Sequence, residues 1–238
     1  MILGILQARL SSSRLPGKVL KKIMGRPMLE LQLERLGRCR KIDKLIVATS
    51  VAREDRAIAD LCDQLRVEVF RGDLDDVLDR FYQAASNYQP EHLIRLTGDC
   101  PLTDPGLIDE LIEFYFASDC DYASNSLEPT LPDGLDAEVF SFAALKCAWE
   151  EARLPSEREH ATLYIHTHPA LFKAANWKYS RNFSHLRWTV DEPEDYELIC
   201  RIYEELYPAN TSFTWKDVLA LLDRRPELAK INTAFRRN

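Results

Sequence analysis

Short apolar runs alternate with amphipathic segments through the first half of the chain. Residues 2–6 (ILGIL), 45–49 (LIVAT), 67–70 (VEVF) and 93–97 (LIRLT) are brief, rich in Ile, Val and Leu, and read as strands. Between them apolar positions recur every three or four residues. That spacing predicts helices over about 28–38, 55–65, 76–87 and 105–117, with Asp76 and Asp104 as their N-terminal caps. Strand and helix in repeated succession predict right-handed βαβ units and a mostly parallel sheet covered on both faces, an α/β fold.

The second half is less regular. A turn-rich stretch, SNSLEPTLPDG, follows residues 119–122 and leads to a strand-like segment near 135–141. Helical patterns cover about 142–153, 157–168, 194–206 and 215–223, and strand-like segments lie near 171–179 and 186–190. No repeat or low-complexity linker divides the chain. The expectation is one domain over residues 1–238, with 119–185 as an irregular α+β insertion over one end of the sheet.

Composition narrows the class. The chain of 238 residues is long enough for a substantial core, and no run approaches the eighteen or so apolar residues of a membrane span. Its first residues lack the pattern of a secretory leader, so the expected compartment is the cytoplasm. The six cysteines are widely spaced without a C-x-x-C pair, which reads as free thiols and not as a zinc ribbon or disulfide framework. His166 and His168 fall two apart on a helical segment, where side chains point to different faces, so they are not taken as a metal pair.

Charge is unevenly placed. The net charge is −7, yet residues 1–50 hold 11 Lys/Arg against 3 Asp/Glu, a local balance of +8 that leaves −15 for the remainder. Those cations fall in a patterned strand, loop and helix, not in a low-complexity arm. A compact anion site such as one for a triphosphate fits better than a nucleic-acid backbone, and neither nucleic acid nor membrane is expected as a partner.

The strongest local feature is QARLSSSRLPGKVL, residues 7–20, between the first strand and a helix. Ligands of open α/β sheets bind outside the carboxyl ends of the strands, where this loop lies. It supplies Arg9, Arg14 and Lys18 as cations, Ser11, Ser12 and Ser13 as hydroxyl donors, and Pro16 and Gly17 to shape a turn. It is a phosphate cradle in composition. Neither a Walker A motif nor G-x-G-x-x-G matches it.

Two aspartates are candidate magnesium ligands. Asp99, in RLTGDCPLTDP (95–105), and Asp191, in RWTVDEPEDY (187–196), each follow a predicted strand, and Pro193 opens the next helix. Magnesium prefers oxygen ligands and usually takes one or two carboxylates besides substrate phosphates. Asp195 reads as an ordinary helix-start acid. The D-C-D triplet at 119–121 is read as polarity at a strand edge.

Six segments together resemble the spore coat polysaccharide biosynthesis protein F group, which belongs with the CMP-sialate and CMP-ketodeoxyoctonate synthetases. They are QARLSSSRLPGKVL, GDLDDVLDRF (72–81), RLTGDCPLTDP, DGLDAEVFS (133–141), EREH (157–160) and TVDEPEDYELI (189–199), in the family's order across nearly the whole chain. The resemblance implies a nucleotide-diphospho-sugar transferase fold and CTP lying over the first loop. Arg9, Ser13, Arg14 and Lys18, with Asp76 and Arg80, would contact the nucleotide. Asp99 and Asp191 would hold Mg2+. The related acid-sugar synthetases differ where this chain has DGLDAEVFS and EREH, which leaves the acceptor open.

The implied reaction is in-line attack of an acceptor oxygen on the α-phosphorus of CTP with release of pyrophosphate, Lys18, Arg14 and Asp99 being the expected catalytic groups. The acceptor, a sugar or acid sugar, is expected against Asp133, Asp136, Glu138, Arg158 and His160. Asp136 and Glu138 lie two apart on a predicted strand and so share a face, and Arg158 and His160 open the next helical pattern. A homodimer paired through the irregular region is also implied. A glycosyltransferase using a finished nucleotide sugar and a non-catalytic nucleotide-binding subunit are the alternative readings.

Overall fold

The computed structural model describes residues 1–235 and 237. Strand β1 (Ile2–Gln7) leads into the basic loop, which returns through a short antiparallel hairpin, β2 (Lys22–Ile23) and β3 (Arg26–Pro27), to helix α1 (Met28–Leu36). Then β4 (Lys44–Ser50), α2 (Arg56–Leu65), β5 (Glu68–Gly72), α3 (Val77–Ser86), β6 (His92–Thr97) and α4 (Pro105–Ala117) alternate. The second half supplies β7 (Tyr122–Ser124), β8 (Glu138–Ser141), α5 (Phe142–Glu151), α6 (Pro155–Glu159), α7 (Leu163–Thr167), β9 (Ala174–Asn176), α8 (Pro193–Leu206) and α9 (Trp215–Arg224).

One seven-stranded sheet runs in the order β5-β4-β1-β6-β8-β7-β9. All its pairings are parallel except those of β8, which is antiparallel to both β6 and β7. Its central strands bury both faces, which is why they read as nearly continuous apolar runs. Leu3, Ile5, Ile46 and Ala48 join a core with α3, α5 and α7, while Leu6, Val47 and Ile94 face α1, α4, α8 and α9. Asp76 and Asp104 cap their helices as the sequence predicts: Asp76 accepts from the Asp79 N–H, and Asp104 from those of Gly106 and Leu107.

Three expectations are corrected. Residues 186–190 do not join the sheet; the segment crosses the carboxyl ends of the strands, where Trp188 N–H donates to Asp133 O at 2.6 Å and Val190 N–H to Asp99 O at 2.8 Å. The helix expected over 157–168 is two short helices, α6 and α7. The chain breaks between them where the Thr162 hydroxyl donates to Glu138. Of 171–179, only the three residues of β9 pair with β7. The D-C-D triplet lies just before β7, an interior strand between β8 and β9: Asp119 has a left-handed backbone, and the Asp121 carboxylate accepts from Lys173 N–H beside β9. All six cysteines are free, His168 stacks on Tyr164, and His166 lies instead beside Tyr122.

Candidate active site

The basic loop is a closed turn. The Leu10 carbonyl accepts from the N–H groups of Ser12 and Gly17, and the Leu10 N–H donates to the fully buried Asp55 carboxylate at 2.7 Å. Leu15 and Val19 bury their side chains and seat the loop on the core. Gly17 takes a left-handed backbone, with φ of 70°, and starts the 3-10 turn that directs Lys18 inward.

Lys18 Nζ lies 2.7 Å from Asp191 Oδ1 and 3.1 Å from Asp99 Oδ2. Asp99 arrives there from just beyond β6, and Asp191 from the crossing segment before α8. Burial by itself lowers the pKa of the Lys18 ammonium, but Asp99 and Asp191 outweigh burial and raise it. The converse holds for Asp99, which burial pushes up and Lys18 pulls below the usual carboxylate range. Arg14 completes the cluster with ion pairs at 3.2 Å to Asp191 and to Glu192.

With Thr97, Asp99 and Asp191 form a shared wall between two cavities, each of about 340 Å³. The first is cation-lined: Arg9, Arg14, Lys18, Arg80 and Arg95 face it, with Ser11, Ser12 and Ser13, against Asp99, Glu159 and Asp191. Arg80 is 2% exposed, holds the Asp73 carbonyl through Nη1, and leaves Nε buried without a partner among the described residues. The second cavity is acid-lined, by Asp99, Asp133, Asp136 and Asp191 with Ser126, Thr189 and Arg237. Burial raises Asp136 to about 6 against the pull of Arg237, and raises Asp133 as well.

The residues expected around the acceptor do not form one group. Asp133 and Asp136 share the acid-lined cavity. Asp136 precedes β8 instead of lying on it, and Glu138 is spent on Arg95 and Thr162. His160 lines the cation-lined cavity. Arg158 forks onto Asp76 through Nε at 2.9 Å and Nη2 at 2.6 Å, because α6 packs against the start of α3. Asp76 is thereby occupied as a helix cap and ion-pair partner and stands back from the cavity that its neighbours Val77 and Arg80 line.

Asp195 is a helix-start acid as expected, accepting from the Asp191 and Glu192 N–H groups at 3.0 Å. It is also fully buried and ion-paired with Arg187, a residue that sequence reasoning passed over. Arg95 was missed likewise. Both are arginines inside apolar runs, LIRLT and HLRWTV, and a charge in such a run is buried only with partners.

Among the described residues there is no group of three or more His, Cys, Asp or Glu arranged to hold a metal ion. The Asp99 and Asp191 pair nevertheless fits magnesium. Both carboxylates converge on one cationic point, the Lys18 nitrogen, and supply the hard oxygen donors that this ion takes in small number when phosphates complete its shell.

The open, mostly parallel sheet with helices on both faces is the nucleotide-diphospho-sugar transferase fold, which solved cytidylyltransferases share. Within that fold the chain belongs to the cytidylyltransferase family, whose model matches residues 3–214. It is 34% identical to the spore coat polysaccharide biosynthesis protein SpsF of Bacillus subtilis, over 96% of each chain. A cytidylyltransferase structure from Leptospira borgpetersenii superposes with a TM-score of 0.91 at 28% identity, covering 96% of both chains. A CMP:2-keto-3-deoxy-manno-octonic acid synthetase solved with CTP superposes at 0.66 and 17% identity, over 86% of this chain and 98% of that one.

Proposed function

We propose that the chain transfers CMP from CTP to a sugar or acid-sugar acceptor in polysaccharide biosynthesis, with Mg2+ as cofactor and pyrophosphate as the second product. The observation that carries this reading is the shared wall. Asp99 and Asp191 stand between a cavity suited to a triphosphate and one suited to a polyhydroxylated partner. A phosphorus at that boundary is open to attack from the acid-lined side.

In this reading Arg9, Ser13, Arg14, Lys18 and Arg80 bind the nucleotide, and His160 belongs on the same side. Arg14 and Lys18 neutralise charge that develops on the phosphate oxygens during transfer. Asp99 and Asp191 would hold Mg2+, whose chemistry is to polarise phosphate oxygens and favour ionisation of the attacking hydroxyl. Asp133 and Asp136 accept hydrogen bonds from the acceptor's hydroxyls. Positioning and charge stabilisation suffice without a covalent intermediate. The protein works in the cytoplasm as a homodimer of one-domain chains, with residues 119–185 carrying acceptor and dimer contacts; sedimentation tests the assembly.

The deciding experiment measures pyrophosphate release with each of the four nucleoside triphosphates over a panel of keto-acid sugars and sugar phosphates. Acceptor-dependent release with CTP is expected. Transfer from a finished nucleotide sugar without pyrophosphate, or CTP binding with no turnover on any acceptor, would replace this reading.

A further inference from the structure

Asp133 faces the acid-lined cavity and Asp191 the boundary, yet one guanidinium holds both. Arg187 Nη1 donates to Asp133 at 2.9 Å and Nη2 donates to Asp191 at 2.9 Å. Its Nε and Nη2 also rest on Asp195 at 3.1 Å. The Arg187 side chain is 4% exposed, and that of Asp195 is fully buried. Asn232 locks the arrangement from behind, donating to the Arg187 carbonyl and to the Asp195 carboxylate.

A guanidinium is a planar fork with fixed angles between its N–H donors, so it sets the separation and orientation of the carboxylates it bridges, which a flexible ammonium does not. Asp191 is gripped on both oxygens, Oδ1 by Lys18 and Oδ2 by Arg187. Moving Asp133 therefore moves the group that aims Asp191.

We propose that Arg187 is a positioning residue that couples the two halves of the site, keeping the acceptor-side carboxylate Asp133 in register with the nucleotide-side carboxylate Asp191. The inference rests on the reading of Asp99 and Asp191 as cation-holding groups. Its consequence is that Asp133, which does not face the phosphate cavity, controls cation affinity there through the fork. Misplacement of reacting groups by about 1 Å costs on the order of 10²-fold in rate, so rigid registration has a clear use.

The test needs no acceptor. Mn2+ affinity in the presence of CTP is measured from the free-ion electron paramagnetic resonance signal, for the full chain and for Asp99→Asn, Asp133→Asn, Arg187→Lys and the Asp133/Arg187 double variant. Thermal melts check folding. Asp99→Asn should abolish tight Mn2+ binding. Asp133→Asn should weaken it about fivefold in the native background and no more than about twofold beside Arg187→Lys, which keeps the positive charge and loses the fork. An equal effect in both backgrounds would mean plain charge attraction and would overturn the coupling while leaving the cation site standing. Unchanged Mn2+ affinity in Asp99→Asn would remove the cation site and the coupling together. Should Arg187→Lys fail to fold, Asp195→Asn loosens the same guanidinium from its far side and completes the cycle.

Discussion

Gly134 presses against the backbone between Trp188 and Thr189: a Cβ at Gly134 would lie 2.5 Å from Thr189 N and 2.6 Å from Trp188 C. With a φ of 104° the residue also has a conformation that side chains disfavour. This close approach lets Asp133 bridge to Arg187. Gly134→Ala should therefore destabilise the chain by about 2–4 kcal/mol in denaturant unfolding, from backbone strain and a clash that no side chain can relieve. In the folded fraction, acceptor-dependent turnover should fall more than CTP affinity. An alanine variant of native stability would show that the approach is not required.

Removing Lys18 has two consequences that separate its roles. Lys18→Met should lower turnover by a factor of about 10² or more, the usual cost of losing a transition-state charge donor. It also leaves Asp99 and Asp191 facing each other without their shared cation, so the melting temperature should fall and then recover on adding Mg2+. Recovery with Mg2+ but not with Na+ at equal ionic strength is the diagnostic result. Arg14→Ala, whose ion pairs are more exposed, should lose comparable rate with little change in stability.

Asp99 and Asp191 contact the same nitrogen and should behave as one unit. Asp99→Asn and Asp191→Asn should each nearly abolish pyrophosphate release, with the double variant little worse than either single one. Losses that multiply would separate the two carboxylates into independent sites.

Asp136 makes a pH-dependent contribution whose sign follows from its pKa. Burial lifts the carboxyl to about 6, so the native state binds more protons than the unfolded chain between about pH 4 and 6. Stability from this group is fully present below about pH 4 and is lost as pH rises through 6. Asp136→Asn should then leave the melting temperature unchanged near pH 4. Above pH 6 it should raise stability by on the order of 2 kcal/mol. A variant less stable than the native chain at pH 7.5 would show that its ion pair with Arg237 outweighs burial.

The first half of the fold was legible because its strands are buried on both faces and its helices on one. Leu3, Ile5, Ile46 and Leu93 announce the sheet by apolarity alone. The α3 and α4 caps were legible because Asp76 and Asp104 act on residues two or three positions away. Residues 186–190 have the composition of a strand, but a strand is completed by its neighbour. Here the extended segment bonds to Asp99 and Asp133 across the strand ends.

The candidate site divides along the same line. Sequence alone established the cation-rich loop and the two aspartates at the ends of apolar runs, since each is carried by residue type within a few positions of a strand. Only the tertiary structure brought Lys18 between Asp99 and Asp191, partners 81 and 173 residues away. It also took Arg158 to Asp76, set Asp133 and Asp136 beside Asp99 and Asp191 in the acid-lined cavity, and placed Arg187 between Asp133, Asp191 and Asp195. Local propensity reports how a residue shapes its own segment. Which buried charge neutralises which is decided when desolvation forces every ion to find a partner, and only packing sets which partners are within reach.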